Sequence, residues 1–205
     1  MAAKRFTVSV LAVLLTLSLF AVRSADAVPL GCSVLVLGDS LTVGRKSWAG
    51  CLGNLTFVRN ESHSGNSAFV ESMWLCRLEK GKQCDSAIVF LGTNDISIGR
   101  SEADIKQDLT SIYKFLRSEG YLVVGCTIVP RYFFGDPEDA RININKWIRE
   151  NRDGLLDGVI DFDATVRDTK NPSAPASQYV SDDFVHLTKK GEDALLHTLV
   201  DFAKE

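Results

Sequence analysis

The stretch Val34-Leu35-Val36-Leu37-Gly38-Asp39-Ser40-Leu41 opens with four apolar residues and breaks at a glycine, an acid and a serine. An unbroken run of β-branched residues and leucines, without polar alternation, suits a strand buried on both faces of a parallel sheet. Similar runs recur at Ala87 to Leu91, Leu122 to Val129 and Val159 to Phe162, with a shorter one at Leu55 to Val58. Amphipathic stretches lie between them. Ser101 stands three residues before Asp104, a capping box with Asp in place of Glu, and Ile105, Leu109, Ile112, Phe115 and Leu116 follow at helical spacing until Gly120. Asp136-Pro137 starts another helix with Ala140, Ile144, Trp147 and Ile148 on one face, and Leu195, Leu196, Leu199, Val200 and Phe202 stripe the last one. Strand and helix alternate from residue 33 onward, which predicts a single α/β domain with a parallel sheet.

The beginning of the chain reads differently. Lys4 and Arg5 precede an apolar run from Phe6 to Val22, and Ala25-Asp26-Ala27 places small residues two apart. This predicts a signal peptide over residues 1–27, cleaved after Ala27, ahead of a domain over residues 28–205. The competing reading, a membrane anchor, is weakened because a run of about 17 residues is at the lower limit for spanning a bilayer. The run also contains Thr7, Ser9, Thr16 and Ser18. Cleavage would leave 20 basic against 25 acidic residues, and no later apolar run is long enough to span, so a soluble, secreted product is expected. Without a Lys/Arg block there is no electrostatic footprint for nucleic acid.

Secretion gives other residues a meaning. Cys32, Cys51, Cys76, Cys84 and Cys126 all lie beyond the leader, and an odd count in an oxidising compartment leaves one thiol over. Asn54-Leu55-Thr56 and Asn60-Glu61-Ser62 are glycosylation acceptors. The three histidines and five cysteines show no metal-ligand spacing, so neither metal nor cofactor is expected.

Ligands of parallel α/β sheets bind outside the carboxyl ends of the strands. Gly38-Asp39-Ser40-Leu41 follows the first strand, Ser64-Gly65-Asn66-Ser67 the weak second, Gly92-Thr93-Asn94-Asp95 the third, and Asp183-Phe184-Val185-His186 precedes the last helix. By residue frequencies Gly-Asp-Ser-Leu arises by chance in about one in 200 chains of this length and Asp-x-x-His in roughly one in four, so joint occurrence in order carries the weight. The sequence resembles the SGNH, or GDSL-type, serine hydrolases, over nearly the whole chain beyond the leader. Asn145-Lys146-Trp147-Ile148-Arg149 and Ile160-Asp161-Phe162-Asp163 also look like segments of secreted members. The resemblance implies a three-layer α/β/α sandwich around a five-stranded parallel sheet of order 2-1-3-4-5.

The chemistry follows from residue types. A serine hydroxyl is a poor nucleophile until a base takes its proton, and imidazole is the natural base near neutrality. Ser40 and His186 are the candidate nucleophile and base, with Asp183 fixing the tautomer of His186 from one side of a helical turn. Asp182, at spacing four, ranks second. The resemblance assigns the oxyanion donors to the Ser40 and Gly65 backbone N–H groups and the Asn94 amide, with Ser40 at the start of the first helix. His63 is expected to serve its loop and His197 to face solvent.

Tyr132 and Phe133 follow the fourth strand and are candidates to line an acyl slot or a sugar platform, or else core. In the implied fold Cys32 pairs with Cys51 and Cys76 with Cys84, leaving Cys126 buried and free. The expected activity is hydrolysis of carboxylic esters through an acyl-serine intermediate, on a small acyl ester or an acylated glycan or lipid, by a monomer. An acyltransferase and an inactive glycan- or partner-binding module are the competing readings.

Overall fold

The computed structural model describes residues 30–53, 56–78, 84–132, 137–150 and 154–204. The leader, Asn54 and Phe133 lie outside the described residues. Five strands, β1 (Ser33–Gly38), β2 (Phe57–Asn60), β3 (Ser86–Phe90), β4 (Leu122–Cys126) and β5 (Gly158–Ile160), form one parallel sheet in the order β2-β1-β3-β4-β5. The helices are α1 (Trp48–Leu52), α2 (Ala68–Trp74), α3 (Thr93–Ser97), α4 (Glu102–Ser118), α5 (Pro137–Glu150), α6 (Phe162–Val166) and α7 (Lys189–Phe202).

Alternate residues of each strand feed opposite layers, which is why the strands carry no polar alternation. Leu35, Leu37, Ala87, Val89 and Val123 pack with Ile105, Leu109, Ile112 and Leu116 of α4 and Ile144 and Ile148 of α5. Val34, Val36, Ile88, Phe90 and Val124 pack with Trp48 of α1, Phe162 of α6 and Leu195 and Leu199 of α7. Trp48, Phe90 and Phe162 meet edge to face, Phe162 standing 5.2 Å from each of the others. Ser101 caps α4 by accepting from the Asp104 N–H at 3.1 Å, and Gly120, at φ +89°, turns the chain out of the helix.

Three strands depart from the apolar runs by two residues or more, while β1 and β3 depart by one at each end. β2 lies two residues further on than Leu55 to Val58, because as the edge strand it has one paired side and half-exposed residues that no apolar run marks. β4 stops at Cys126 because the Asn145 side chain takes over from a neighbouring strand, accepting from the Ile128 N–H at 2.7 Å and donating to its carbonyl at 2.8 Å. β5 ends at Ile160 because Asp161 caps α6, in which Phe162 turns into the core.

All five cysteines are free thiols, so neither expected bridge is made. Cys84 is buried beside Ser33 while Cys76 faces solvent. Cys51 Sγ lies 3.9 Å from the Arg45 carbonyl, and Cys32 is exposed ahead of β1. Asn60 Nδ2, the atom that would carry a glycan, donates to the Thr42 carbonyl at 2.9 Å.

Candidate active site

The four sequence blocks meet at the carboxyl ends of the strands. Ser40 does not begin a helix, contrary to expectation: α1 starts eight residues later, at Trp48, and Ser40 sits in a turn in which the Thr42 N–H donates to the Asp39 carbonyl at 3.0 Å. The Leu41 N–H donates to Asp39 Oδ1 at 2.9 Å. No helix dipole therefore acts on Ser40. The buried Asp39 carboxyl braces the turn from below, and burial pushes its pKa up to about 7 against the pull of the Leu41 N–H and the Arg131 charge. Arg131 reaches over from the segment after β4, donating to Ser97 Oγ at 3.0 Å.

His186 Nε2 lies 3.0 Å from Ser40 Oγ, and His186 Nδ1 lies 2.6 Å from Asp183 Oδ2. With Asp183 ionised, Nδ1 carries the proton and Nε2 is left to accept from the serine hydroxyl. The hydrogen bond from His186, supported by the Val185 and His186 N–H groups on Oδ1, holds Asp183 well below the usual carboxylate range. The spacing of three works through a loop rather than the helical turn anticipated. Phe184 takes the left-handed conformation at φ +59°, which folds the backbone N–H groups of residues 185 and 186 onto the carboxylate. A bridge between Val180 and Leu187 closes the loop behind them, and Ser181 Oγ lies 2.8 Å from Asp183 Oδ1. Among the described residues no hydrogen bond or ion pair joins Asp182 to His186.

Gly65 has φ +75°, and a side chain there would project into open space, so its glycine is required by the backbone rather than by crowding. Among the described residues neither the Ser40 nor the Gly65 N–H meets an acceptor. Asn94 Nδ2 donates one hydrogen to the Asn66 carbonyl at 2.7 Å and keeps the other. The neighbouring Asp95, fully buried, accepts from the Ala68 and Phe69 N–H groups at 2.7 and 3.3 Å and so ties α3 to the start of α2. His63 serves its loop, its N–H on the Gly38 carbonyl at 3.2 Å and its ring against Trp74.

Tyr132 is exposed and stands edge to face with Phe184, ring centroids 5.1 Å apart, which makes an aromatic wall beside His186. Sequence reasoning missed Phe184 and Ser181. An aromatic residue inside Asp-x-x-His was the available signal for the first, while nothing singled out one serine among many. Among the described residues no group of three or more His, Cys, Asp or Glu side chains is placed to hold a metal ion, and no helix is long and apolar enough to cross a membrane.

A parallel sheet of order 2-1-3-4-5 with serine, histidine and aspartate converging at its carboxyl edge defines a hydrolase-type α/β/α fold. The chain belongs to the GDSL-like lipase/acylhydrolase family, whose sequence profile matches residues 36–194. No curated protein matches it. Among solved structures it resembles a protein assigned to the lipolytic G-D-S-L family from Desulfitobacterium hafniense DCB-2, at 16% identity and TM-score 0.72 over 84% of this chain and 99% of that one. It also resembles the psychrotrophic esterase EstA of a Pseudoalteromonas species, at 18% identity and TM-score 0.68 over 84% and 97%. A third relative in fold is the acetyl xylan esterase AlAXEase, at 16% identity and TM-score 0.67 over 82% and 98%.

Proposed function

We propose that the protein is a secreted serine esterase in which Ser40, His186 and Asp183 form the catalytic triad. The observation that carries the reading is the pair of contacts at His186, 3.0 Å to Ser40 Oγ and 2.6 Å to Asp183. His186 Nε2 takes the serine proton as Oγ attacks the ester carbonyl, and the carbonyl oxygen, now negative, faces the Ser40 and Gly65 N–H groups and the spare Asn94 hydrogen. Collapse breaks the C–O bond to the alcohol, which leaves with the proton held on Nε2. Water, deprotonated by the same nitrogen, then attacks the acyl-serine and releases the acid.

Family membership and fold relatives that are esterases support ester hydrolysis. The test is hydrolysis of 4-nitrophenyl acetate and butyrate by the wild type beside Ser40→Ala. A loss of about 10³-fold or more in kcat/KM is expected, and equal rates in two folded proteins would sink the triad. Secretion rests on residues 1–27, and a secreted product whose sequence begins at Val28 would support it.

A further inference from the structure

Where the chain runs on from the Ser40 turn and from His186, the surface opens into a cleft of about 450 Å³, lined among others by Val43, Arg45, Lys46, Leu187, Lys189 and Glu192. A space of this size suits a small-molecule group. Its two walls are continuations of the catalytic loops. Val43 to Lys46 follow three residues after Ser40, and Leu187 is the next residue after His186.

The segment bearing Arg45 and Lys46 is held at its base. The buried Ser47 hydroxyl lies 2.9 Å from the Thr42 carbonyl and 2.8 Å from that of Gly44, and the Ser47 N–H donates to the Gly44 carbonyl at 3.3 Å. Gly50 permits the approach, since a Cβ there would stand 2.3 Å from the Gly44 carbonyl oxygen. Among the described residues the Arg45 and Lys46 side chains make no ion pair, whereas Lys189 pairs with Asp193. The half-buried Glu192 is already engaged, its Oε2 accepting from the Trp48 N–H at 2.7 Å. On a chain with more acidic than basic residues, three cations therefore border one cleft, two of them unpaired, next to apolar Val43 and Leu187.

Direction assigns the cleft to one part of an ester. The leaving oxygen has to come within hydrogen-bond reach of His186 Nε2 to receive its proton. Of the oxyanion donors, Gly65 precedes α2 and Asn94 lies in α3, and both helices pack on the opposite face of the sheet from α1 and α7. An alcohol portion that leaves past His186 would meet Leu187 and Lys189, the cleft residues that follow it in the chain.

Resting on the esterase reading, we propose that this cleft receives an anionic group, a phosphate or a carboxylate, carried on the alcohol portion of the substrate and held by Arg45, Lys46 and Lys189. A phosphate would come from a glycerophosphate-type ester and a carboxylate from an acidic sugar, and matched substrate pairs separate the two. The experiment measures kcat/KM on 1-butyrylglycerol against its 3-phosphate, and on butyryl galactose against butyryl galacturonate, for the wild type and for R45A/K46A. The wild type is expected to favour the anionic member of one pair by about five- to tenfold. That ratio should fall to near one in the variant and at about 1 M salt, where the screening length is about 3 Å. Preference in the first pair identifies a phosphate source and in the second an acidic sugar. A wild type blind to charge in both pairs, or a preference that survives in R45A/K46A, overturns the proposal.

Calorimetric titration of glycerol 3-phosphate and galacturonate needs no turnover. If no ester is hydrolysed the esterase reading fails, and the titration still decides the cleft: binding lost in R45A/K46A supports it and no binding by the wild type overturns it. Should the double variant lose its melting transition, Lys46→Glu takes its place.

Discussion

Two charged clusters sit at the carboxyl end of the same sheet and contrast in almost every respect. Around β1 and the loop before α7, His186 and Asp183 leave 47% and 52% of their side chains exposed. Around β4 and β5, Arg141 and Asp163 are 2% and 4% exposed and lie 2.6 Å apart. Arg141 also reaches the Ile128 carbonyl at 3.1 Å and Glu138 at 2.5 Å, while Arg149 clasps Asp161 and Asp163 at 2.7 and 2.6 Å. Thr127 Oγ1 donates to Asp161 Oδ1 and accepts from the Asp163 N–H. The two buried charges, Arg141 and Asp163, each have several partners, because removing charges from water is tolerable only with full satisfaction. The exposed pair needs far less compensation and stays reachable by substrate. Similar ion pairing thus fits the proposed chemistry in one place and docks α5 in the other.

Isosteric and truncating changes in the two clusters should separate these roles. Asp183→Asn is expected to lower kcat/KM by about 10²- to 10⁴-fold while changing unfolding free energy by less than about 1 kcal/mol. Asp163→Ala, which removes the buried carboxylate that Arg141 and Arg149 share and leaves Arg141 with the Glu138 carboxylate alone, should cost about 3–5 kcal/mol, read by urea denaturation, with activity intact wherever the protein remains folded. If Asp183→Asn proved the more destabilising of the two, the contrast would collapse.

A smaller effect concerns pH. Burial raises Asp39 and Glu192 to about 7 each. A carboxyl whose pKa is higher folded than unfolded adds stability in full below its unfolded value, about 4, and loses it as pH rises through about 7. Asp183 has the opposite sign, its modest contribution being present above about pH 4 and lost as pH falls below that. Stability profiles from about pH 4 to pH 8 should therefore lose a falling component in Asp39→Asn combined with Glu192→Gln, both of which keep an acceptor for the Leu41 and Trp48 N–H groups. An identical slope in the double variant would argue against neutral carboxyls at these positions.

Smallest is Phe184→Gly. Freed of a side chain at φ +59°, the loop should gain up to about 1 kcal/mol by chemical denaturation. A net loss would mean that the ring contact with Tyr132 outweighs the backbone strain.

The sheet and its longer helices were legible because burial on both faces writes itself as unbroken apolar runs, and because Ser101 and Gly120 punctuate α4 by local chemistry. The edge strand β2 was blurred because half its surroundings are water. Ser40, Gly65, Asn94, Asp183 and His186 could be picked out as motifs, yet how Asp183 reaches His186 could not, since a loop and a helical turn serve the same spacing. Arg141 and Asn145 lie off the apolar face of Ala140, Ile144, Trp147 and Ile148, so the helical pattern does not mark them for burial. Their burial depends on β4 ending at Cys126, which no local pattern announces. The cysteine pairs were inferred from a compartment and a fold, whereas side-chain direction decides whether two thiols meet.

The links between Asn94 and Asn66, and between Asp95 and the first turn of α2, carry a consequence for diversification. Residues 65–69 and 92–95 are welded into one piece, so a substitution in either will change what is tolerated in the other, and mutational scans should show them drifting together or not at all. Among the described residues no hydrogen bond or ion pair ties the segment 43–46 to the Tyr132–Phe184 wall. Each can be exchanged singly, which makes them the places where new specificities can arise one mutation at a time.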